Sequence, residues 1–235
     1  MNRAAVLFPL FTLIAGVSLA TPIFVDPFDQ GNLIQPYVPA AYNITQSVTD
    51  VVGGVRYVGV TNGAAPTGYA STNINMGGSG VLDLGSMANG IPQLQLIYGS
   101  RAIGNSIAGP SLNLDLAGYM AFVFQITYKD LEGGTLTINL YNDNGDISSR
   151  TVSLPMTVSQ ADPALRLEVP ISGFSNQANL SDIDSIEISL TGPANLDMSI
   201  DTIEITDAPE PGTLVIVGMA LVGLGVGYRR IRRRA

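Results

Sequence analysis

The 235-residue chain contains no cysteine, no histidine and no tryptophan. Without cysteine there is no disulfide framework, and the chain is indifferent to the redox state of its compartment. Without histidine it lacks the usual general base at neutral pH and the commonest ligand of zinc, copper or iron. Serine–histidine and cysteine–histidine nucleophilic arrangements are therefore excluded. Paired-carboxylate chemistry and oxygen-ligated calcium stay open. The expectation is a protein that is not an enzyme.

Positive charge is scarce and unevenly placed. Of 11 basic residues, Arg3, Arg229, Arg230, Arg232, Arg233 and Arg234 lie at the extremities. Residues 21–208 keep Arg56, Arg101, Lys129, Arg150 and Arg166 against 18 carboxylates, a net charge of −13 rather than the −8 of the whole chain. A nucleic-acid partner would require a basic stripe, so this class is excluded.

Both ends are apolar. Residues 1–20 read as a signal peptide: Arg3 supplies a positive start, Ala4 to Val17 an apolar run, and Ser18-Leu19-Ala20 a small-residue cleavage site. At the other end Leu214 to Tyr228 carries no charge. Counted from Gly212 the uncharged run spans roughly 25 Å as a helix, the lower edge of a bilayer crossing. This predicts a single C-terminal transmembrane helix. The arginines Arg229, Arg230, Arg232, Arg233 and Arg234 follow as a stop-transfer cluster that keeps the terminus cytoplasmic.

Pro209-Glu210-Pro211, then a glycine-containing apolar run, then an arginine cluster resembles the PEP-CTERM sorting signal of Gram-negative bacteria. The resemblance implies that a membrane-embedded exosortase recognises Pro209, Glu210 and Pro211 and processes the protein nearby. It also implies an anchor held in the inner membrane only transiently, and a mature protein at the cell surface or in an exopolysaccharide matrix. The two prolines fix φ and remove backbone donors, which keeps this stretch extended and open to a processing enzyme.

Between the ends no helical period appears. Short alternating runs are separated by Gly, Asn, Asp and Pro, the pattern of an all-β sandwich. Tyr119 to Tyr128 reads as a central strand. In Thr135 to Tyr141, Leu136, Ile138 and Leu140 share one face, and Ile186, Ile188 and Leu190 alternate in the same way. The last strand runs Leu196, Met198, Ile200 and then Ile203, Ile205, a slip in phase that predicts a bulge at Asp201-Thr202. Val55 to Val60, Gly80 to Gly85 and Gln93 to Tyr98 complete the strands expected, and between them lies Asn62 to Ser79, rich in Gly, Ala, Thr and Asn. Asn142-Asp143-Asn144-Gly145-Asp146 resembles the opening of a calcium loop, but Thr151 stands where the closing glutamate belongs. It reads as a hairpin turn. The organisation expected is a signal peptide at 1–20, one β-sandwich domain at 22–206 and a sorting tail at 207–235.

Leu112 to Tyr119, Leu167 to Phe174, Leu180 to Leu190 and Asp197 to Ile205, with Val25-Asp26-Pro27-Phe28-Asp29 as an opening strand, resemble the galactose-binding-like jelly rolls of many carbohydrate-binding modules. That resemblance implies an antiparallel jelly-roll sandwich. It also implies a structural calcium near the first and last strands, for which Asp26, Asp29 and Asp201 are the matching positions. Sugar recognition needs exposed aromatics to stack on pyranose rings and polar groups to bond their hydroxyls. Tyr37, Tyr42 and Tyr69, which stand in loop-like context, are the candidates. The expected function is that of an exported, non-catalytic structural or binding protein whose partner is extracellular polysaccharide. The rival is a carboxylate-dependent glycosidase acting on the same matrix.

Overall fold

The alternating runs fold as antiparallel strands, and the computed structural model describes residues 21–38, 41–63, 68–103, 106–107, 109–145, 147–154, 157–176 and 180–207. The signal-peptide residues 1–20, the Pro-Glu-Pro motif, the apolar run and the arginine cluster lie outside these described residues. Pro22–Thr206 form one compact unit.

In chain order the strands are β1 (Ile23–Asp26), β2 (Leu33–Val38), β3 (Ala41–Ser47), β4 (Val55–Asn62), β5 (Tyr69–Ile74), β6 (Leu82–Met87), β7 (Pro92–Gly99), β8 (Ala102–Ile103), β9 (Ser106–Ile107), β10 (Tyr119–Lys129), β11 (Thr135–Tyr141), β12 (Ile147–Ser153), β13 (Leu165–Pro170), β14 (Ser185–Thr191) and β15 (Met198–Asp207). One sheet has the order β13-β10-β15-β6-β5-β2, with β1 also paired to β15, and the other runs β12-β11-β14-β7-β4-β3. Strands β8 and β9 pair only with each other. Successive strands pass back and forth between the two large sheets, which makes the sandwich a jelly roll.

Side-chain alternation decides which face of each strand meets the core. Leu82, Leu84, Phe122, Phe124, Ile126, Ile200, Ile203 and Ile205 from the first sheet meet Val58, Val60, Leu94, Leu96, Leu136, Ile138, Leu140, Ile186, Ile188 and Leu190 from the second in a single cluster. Full burial of an aliphatic side chain of this size is worth about 1.5–3 kcal/mol, so this layer is the main source of stability. Phe122 and Phe174 add a tilted ring contact, with centroids 5.8 Å apart.

The slip of phase in β15 is present. Met198 and Ile200 point inward, Asp201 and Thr202 both lie on the other side, and Ile203 and Ile205 return to the core. The slip falls where β15 exchanges one partner for another, because Met198–Ile200 pair with β6 and Ile203–Ile205 pair with β1. The expected hairpin at Asn144-Gly145 also forms, since Gly145 takes a positive φ of 77° and donates its N–H to Asn142 O at 2.9 Å. Its connection runs from Tyr141 to Ile147 and is longer than a two-residue turn. Within Asn62 to Ser79, the stretch rich in Gly, Ala, Thr and Asn, strand β5 forms and pairs with β2 and β6.

A buried polar network ties the opening strand to the second sheet. Arg56 and Asp26 are both fully buried. Arg56 Nη1 donates to Asp26 Oδ1 at 2.8 Å and Oδ2 at 2.7 Å, and Nη2 donates to Gln30 O at 2.9 Å. Gln46 Oε1 accepts from Arg56 Nε at 3.2 Å and Nη2 at 3.0 Å. Tyr98 Oη and the Phe28 N–H each donate to Asp26 at 2.8 Å. Every lone pair and proton of the pair is engaged, the condition under which a buried ion pair can offset its desolvation.

Candidate functional site

The outer face of the β12-β11-β14-β7-β4-β3 sheet is mostly polar, with an apolar spot at Tyr57 and Ile97. Its registers align Asn43, Gly59, Gln95, Ser189, Thr137 and Thr151 in one row across all six strands. On one side of it runs Ala41, Thr61, Gln93, Thr191, Thr135 and Ser153, and on the other Thr45, Tyr57, Ile97, Glu187, Asn139 and Ser149. In each strand the apolar partners of these residues face the core, so alternation alone sets the polar groups outward.

The middle row carries the cleft. Glycine at position 59 leaves the sheet bare between longer neighbours, and the Tyr57 ring leans into that space. A Cβ at residue 59 would stand 3.1 Å from Tyr57 Cε1 and 3.2 Å from its hydroxyl. The resulting cleft holds about 340 Å³ and is lined by Tyr42, Asn43, Tyr57, Gly59, Thr61, Gln93, Gln95, Ser189 and Thr191, among others. That volume falls at the lower end of the range of small-ligand sites. Burial pushes the Tyr57 phenol above its ordinary pKa, so it stays a neutral hydroxyl. The lining thus offers hydroxyls and primary amides, groups that both donate and accept, with the Tyr57 ring beside them.

Beside the cleft Glu187 is held on both oxygens. Gln95 Nε2 donates to Oε1 at 2.7 Å, Tyr141 Oη donates to Oε2 at 2.7 Å, and Arg101 Nε lies 2.9 Å from Oε2. The Arg101 guanidinium also sits over the Tyr141 ring, 3.8 Å from its centroid. Burial and the bond to Glu187 push Tyr141 up to about 12. This cluster fixes the Gln95 amide and leaves its carbonyl oxygen without a protein partner among the described residues. Glu187 is the only carboxylate in the three rows.

A second, smaller cleft of about 250 Å³ lies on the outer face of the other sheet, lined by Asp83, Gly85, Tyr128, Gln160, Asp197 and Ser199, among others. Ser199 Oγ donates to Asp83 Oδ1 at 2.5 Å. Burial, then the neighbouring Asp130, raise the pKa of Asp197.

The three tyrosines singled out from sequence do not converge. Tyr42, in β3, is half-buried against the core and lines the larger cleft. Tyr69 lies in β5 of the opposite sheet and is exposed. Tyr37 lies in β2 of that same opposite sheet, with its side chain outside the described residues. Tyr57 was not singled out, although its outward phase between the inward Arg56 and Val58 is visible in the alternation of β4.

The calcium positions separate likewise. Asp26 has both oxygens committed to Arg56, Tyr98 and the Phe28 N–H, and a guanidinium already neutralises it. It does not fit a calcium site. Asp29 and Asp201 are neighbours, and burial followed by the Asp29 charge raises the pKa of Asp201. Asp29 and Asp201 alone supply too few oxygens for the six to eight that calcium takes. No cluster of three or more carboxylates placed to hold a metal occurs among the described residues.

Residues 207–234 match the family model of the PEP-CTERM protein-sorting motif. A sorting motif of this kind implies an exported protein. Among the described residues no helix is long and apolar enough to cross a membrane. The expected anchor at 212–228 lies outside them. No curated protein sequence matches the chain. Among solved structures, the chain is similar to the family 11 carbohydrate-binding module of a cellulosomal cellulase of Clostridium thermocellum, with 13% identity over 81% of this chain and 97% of that one, and a TM-score of 0.41. It is also similar to an exo-beta-agarase, with 14% identity, 80% of this chain and 25% of that one, and a TM-score of 0.42. A third likeness is to TmCBM61, solved with beta-1,4-galactotriose, with 11% identity over 64% of this chain and 88% of that one, and a TM-score of 0.33.

Proposed function

We propose that the protein is an exported, non-catalytic binding protein, and that its ligand is extracellular polysaccharide held in the cleft over Gly59. The observation that carries this reading is the continuous polar face of the β12-β11-β14-β7-β4-β3 sheet. It bears three transverse rows rich in hydroxyls and amides, with a cleft in the middle row beside Tyr57. A sugar presents many hydroxyls that each donate and accept, and the Asn43, Thr61, Gln93, Gln95, Ser189 and Thr191 side chains match that chemistry. Tyr57, Ile97 and Glu187 in the third row are buried, while Asn43, Thr61, Gln93, Gln95, Ser189 and Thr191 stay accessible as a strip, a shape that suits a chain laid along it more than an enclosed small molecule.

Binding is favoured over hydrolysis on this face by its single carboxylate. Glycoside hydrolysis requires two carboxyl groups across the scissile bond, and Glu187 is saturated by Gln95, Tyr141 and Arg101. The enzymatic alternative would be sited at the opposite cleft, where Asp83 and Asp197 are present and Asp197 holds its proton above the ordinary carboxylate range.

The sorting tail gives the route. In this reading an exosortase-type enzyme recognises Pro209, Glu210 and Pro211 while the apolar run from 212 and the arginine cluster hold the precursor briefly in the inner membrane. The body then reaches the cell surface or the exopolysaccharide matrix. Incubation of the protein with the producer's exopolysaccharide tests the function. Retention on the polysaccharide without release of reducing ends supports it, and release of reducing ends that Asp197→Asn abolishes would favour the enzyme.

A further inference from the structure

Strand β6 repeats on the opposite sheet what β4 does on the polar one. Leu82 and Leu84 point into the core, so Asp83, Gly85 and Met87 stand on the outer face. Gly85 lies between Ser71 of β5, its register partner, and Asp197, just before β15. A Cβ at residue 85 would stand 2.8 Å from Asp197 Oδ1 and 3.2 Å from Ser71 Oγ, so the missing side chain opens the sheet here. Around the cleft of about 250 Å³ stand the Ser71 and Ser199 hydroxyls, the Asn73 amide, the Asp83 and Asp197 carboxyls and Tyr128. Ser199 Oγ donates to Asp83 Oδ1 at 2.5 Å and holds that carboxyl in place. Two residues further along the same face, Tyr69 and Met87 are register partners, and both are exposed, at 37% and 44%. A polar cleft therefore runs beside an apolar step that carries an aromatic ring. A pyranose offers the complement, an apolar C–H face rimmed by hydroxyls.

The two clefts share a charge property. No lysine or arginine lines either of them among the described residues. The net charge of −13 over residues 21–208 adds repulsion against a chain bearing uronate or sulfate groups. We propose that the cleft over Gly85, with Tyr69 and Met87 beside it, is a second and weaker glycan site, and that both clefts take uncharged polysaccharide. The proposal rests on the reading of the Gly59 cleft as a polysaccharide site. The clefts lie on the outer faces of two different sheets with the core between them, and stacked sheets pack about 10 Å apart. They face away from each other, so a stretch of glycan laid in one does not reach the other. The protein thus ties together two chains, or two distant stretches of one chain, and its hold on the polymer gains from using both sites at once.

The probe is a set of neutral oligosaccharides cut from the producer's exopolysaccharide, too short to bridge two proteins, compared with acidic fragments of the same digest. Calorimetric titration of the full chain in detergent counts the sites. Wild type is expected to bind two neutral molecules per chain. Gly59→Leu should lose the tighter event and keep the weaker, and Gly85→Leu should do the reverse. A leucine at residue 85 must displace Asp197, so Tyr69→Ser provides a second variant on an exposed side chain. Its Tm should match wild type, and it should weaken the second event alone by about threefold to tenfold. Mixed with the intact polymer, wild type in single-copy nanodiscs should raise light scattering, whereas Gly85→Leu should bind without doing so. A single event in wild type that Gly59→Leu removes overturns the second site and leaves the reading of the Gly59 cleft standing. Two events unchanged in Gly59→Leu defeat that reading instead. Tighter binding of the acidic fragments overturns the uncharged ligand. Reducing ends released by wild type but not by Gly85→Leu would make this cleft catalytic and overturn its role as a binding site.

Discussion

Replacing Arg56 with methionine isolates the largest single electrostatic commitment in the sandwich. The side chain volume is nearly kept, so the cost comes from what Asp26 loses: two short bonds from Nη1, at 2.8 and 2.7 Å, and the positive charge they carry. Asp26 keeps only the Phe28 N–H and the Tyr98 hydroxyl, in a place with no solvent access. Gln30 O and Gln46 Oε1 lose their donor as well. Breaking a buried pair by removing one partner costs about 3–5 kcal/mol. For a body of this size each kcal/mol lowers Tm by about 2–4 °C, so a drop of roughly 6–20 °C is expected. The pH dependence has a definite sign. Burial already raises the pKa of Asp26 while Arg56 pulls it down. Without Arg56 it rises further, so the penalty is full at neutral pH and shrinks as the medium becomes acid enough to protonate Asp26. Replacing both partners together, Asp26→Leu with Arg56→Met, should recover most of the loss, because no buried charge remains. Urea melts at pH 7 and pH 5 on the two single variants and the double variant provide the assay. A loss below about 1 kcal/mol for Arg56→Met, or a double variant as unstable as the sum of the singles, would refute the reasoning.

Phe174→Ala should cost about 3–5 kcal/mol, since Phe174 is buried and packs on Phe122 at the end of β13; a urea midpoint within error of wild type would contradict this. Burial lifts Asp184, Asp197 and Asp201 above the ordinary carboxylate pKa, assisted by Asp143 and Asp182, by Asp130, and by Asp29 in turn. The folded state therefore holds these protons more tightly than the unfolded chain, and the stability withheld at neutral pH returns as pH falls through the raised values. In chelator, Tm should rise from pH 7 towards pH 5, and a steady fall over that interval would count against it. Intact mass of the protein from its native host should show an end near Pro209–Gly212, whereas retention of 213–235 would establish a permanent anchor.

The strands legible in the sequence are those whose inward positions are filled by Leu, Ile, Val and Phe. Strands β10, β11, β14 and β15 alternate cleanly, and even the slip at Asp201-Thr202 shows in the spacing of the isoleucines. Strands β2, β3 and β5 carry weaker signals. Strand β2 contains Pro36, β3 is an edge strand whose inward side is only half-buried, and β5 is built mostly of small or polar residues. Their pairing is dictated by partners far along the chain rather than by local pattern. The same holds for the site. Serine, threonine and glutamine at outward positions look like any solvated strand face until the register lines them up across six strands. The buried Asp26–Arg56 pair joins positions 30 residues apart, so the sequence marked Asp26 as a calcium position and carried no sign of Arg56 as its partner.

Affinity for the producer's exopolysaccharide, measured on wild type and Gly59→Leu, bears most directly on the central claim. A leucine at position 59 would displace the Tyr57 ring and fill the cleft while leaving the acidic cleft on the opposite sheet untouched. The account predicts retention of wild type without reducing-end release, and a loss of affinity in Gly59→Leu of at least about tenfold, or about 1.4 kcal/mol. Equal affinity in the two proteins, with both folded, would contradict it.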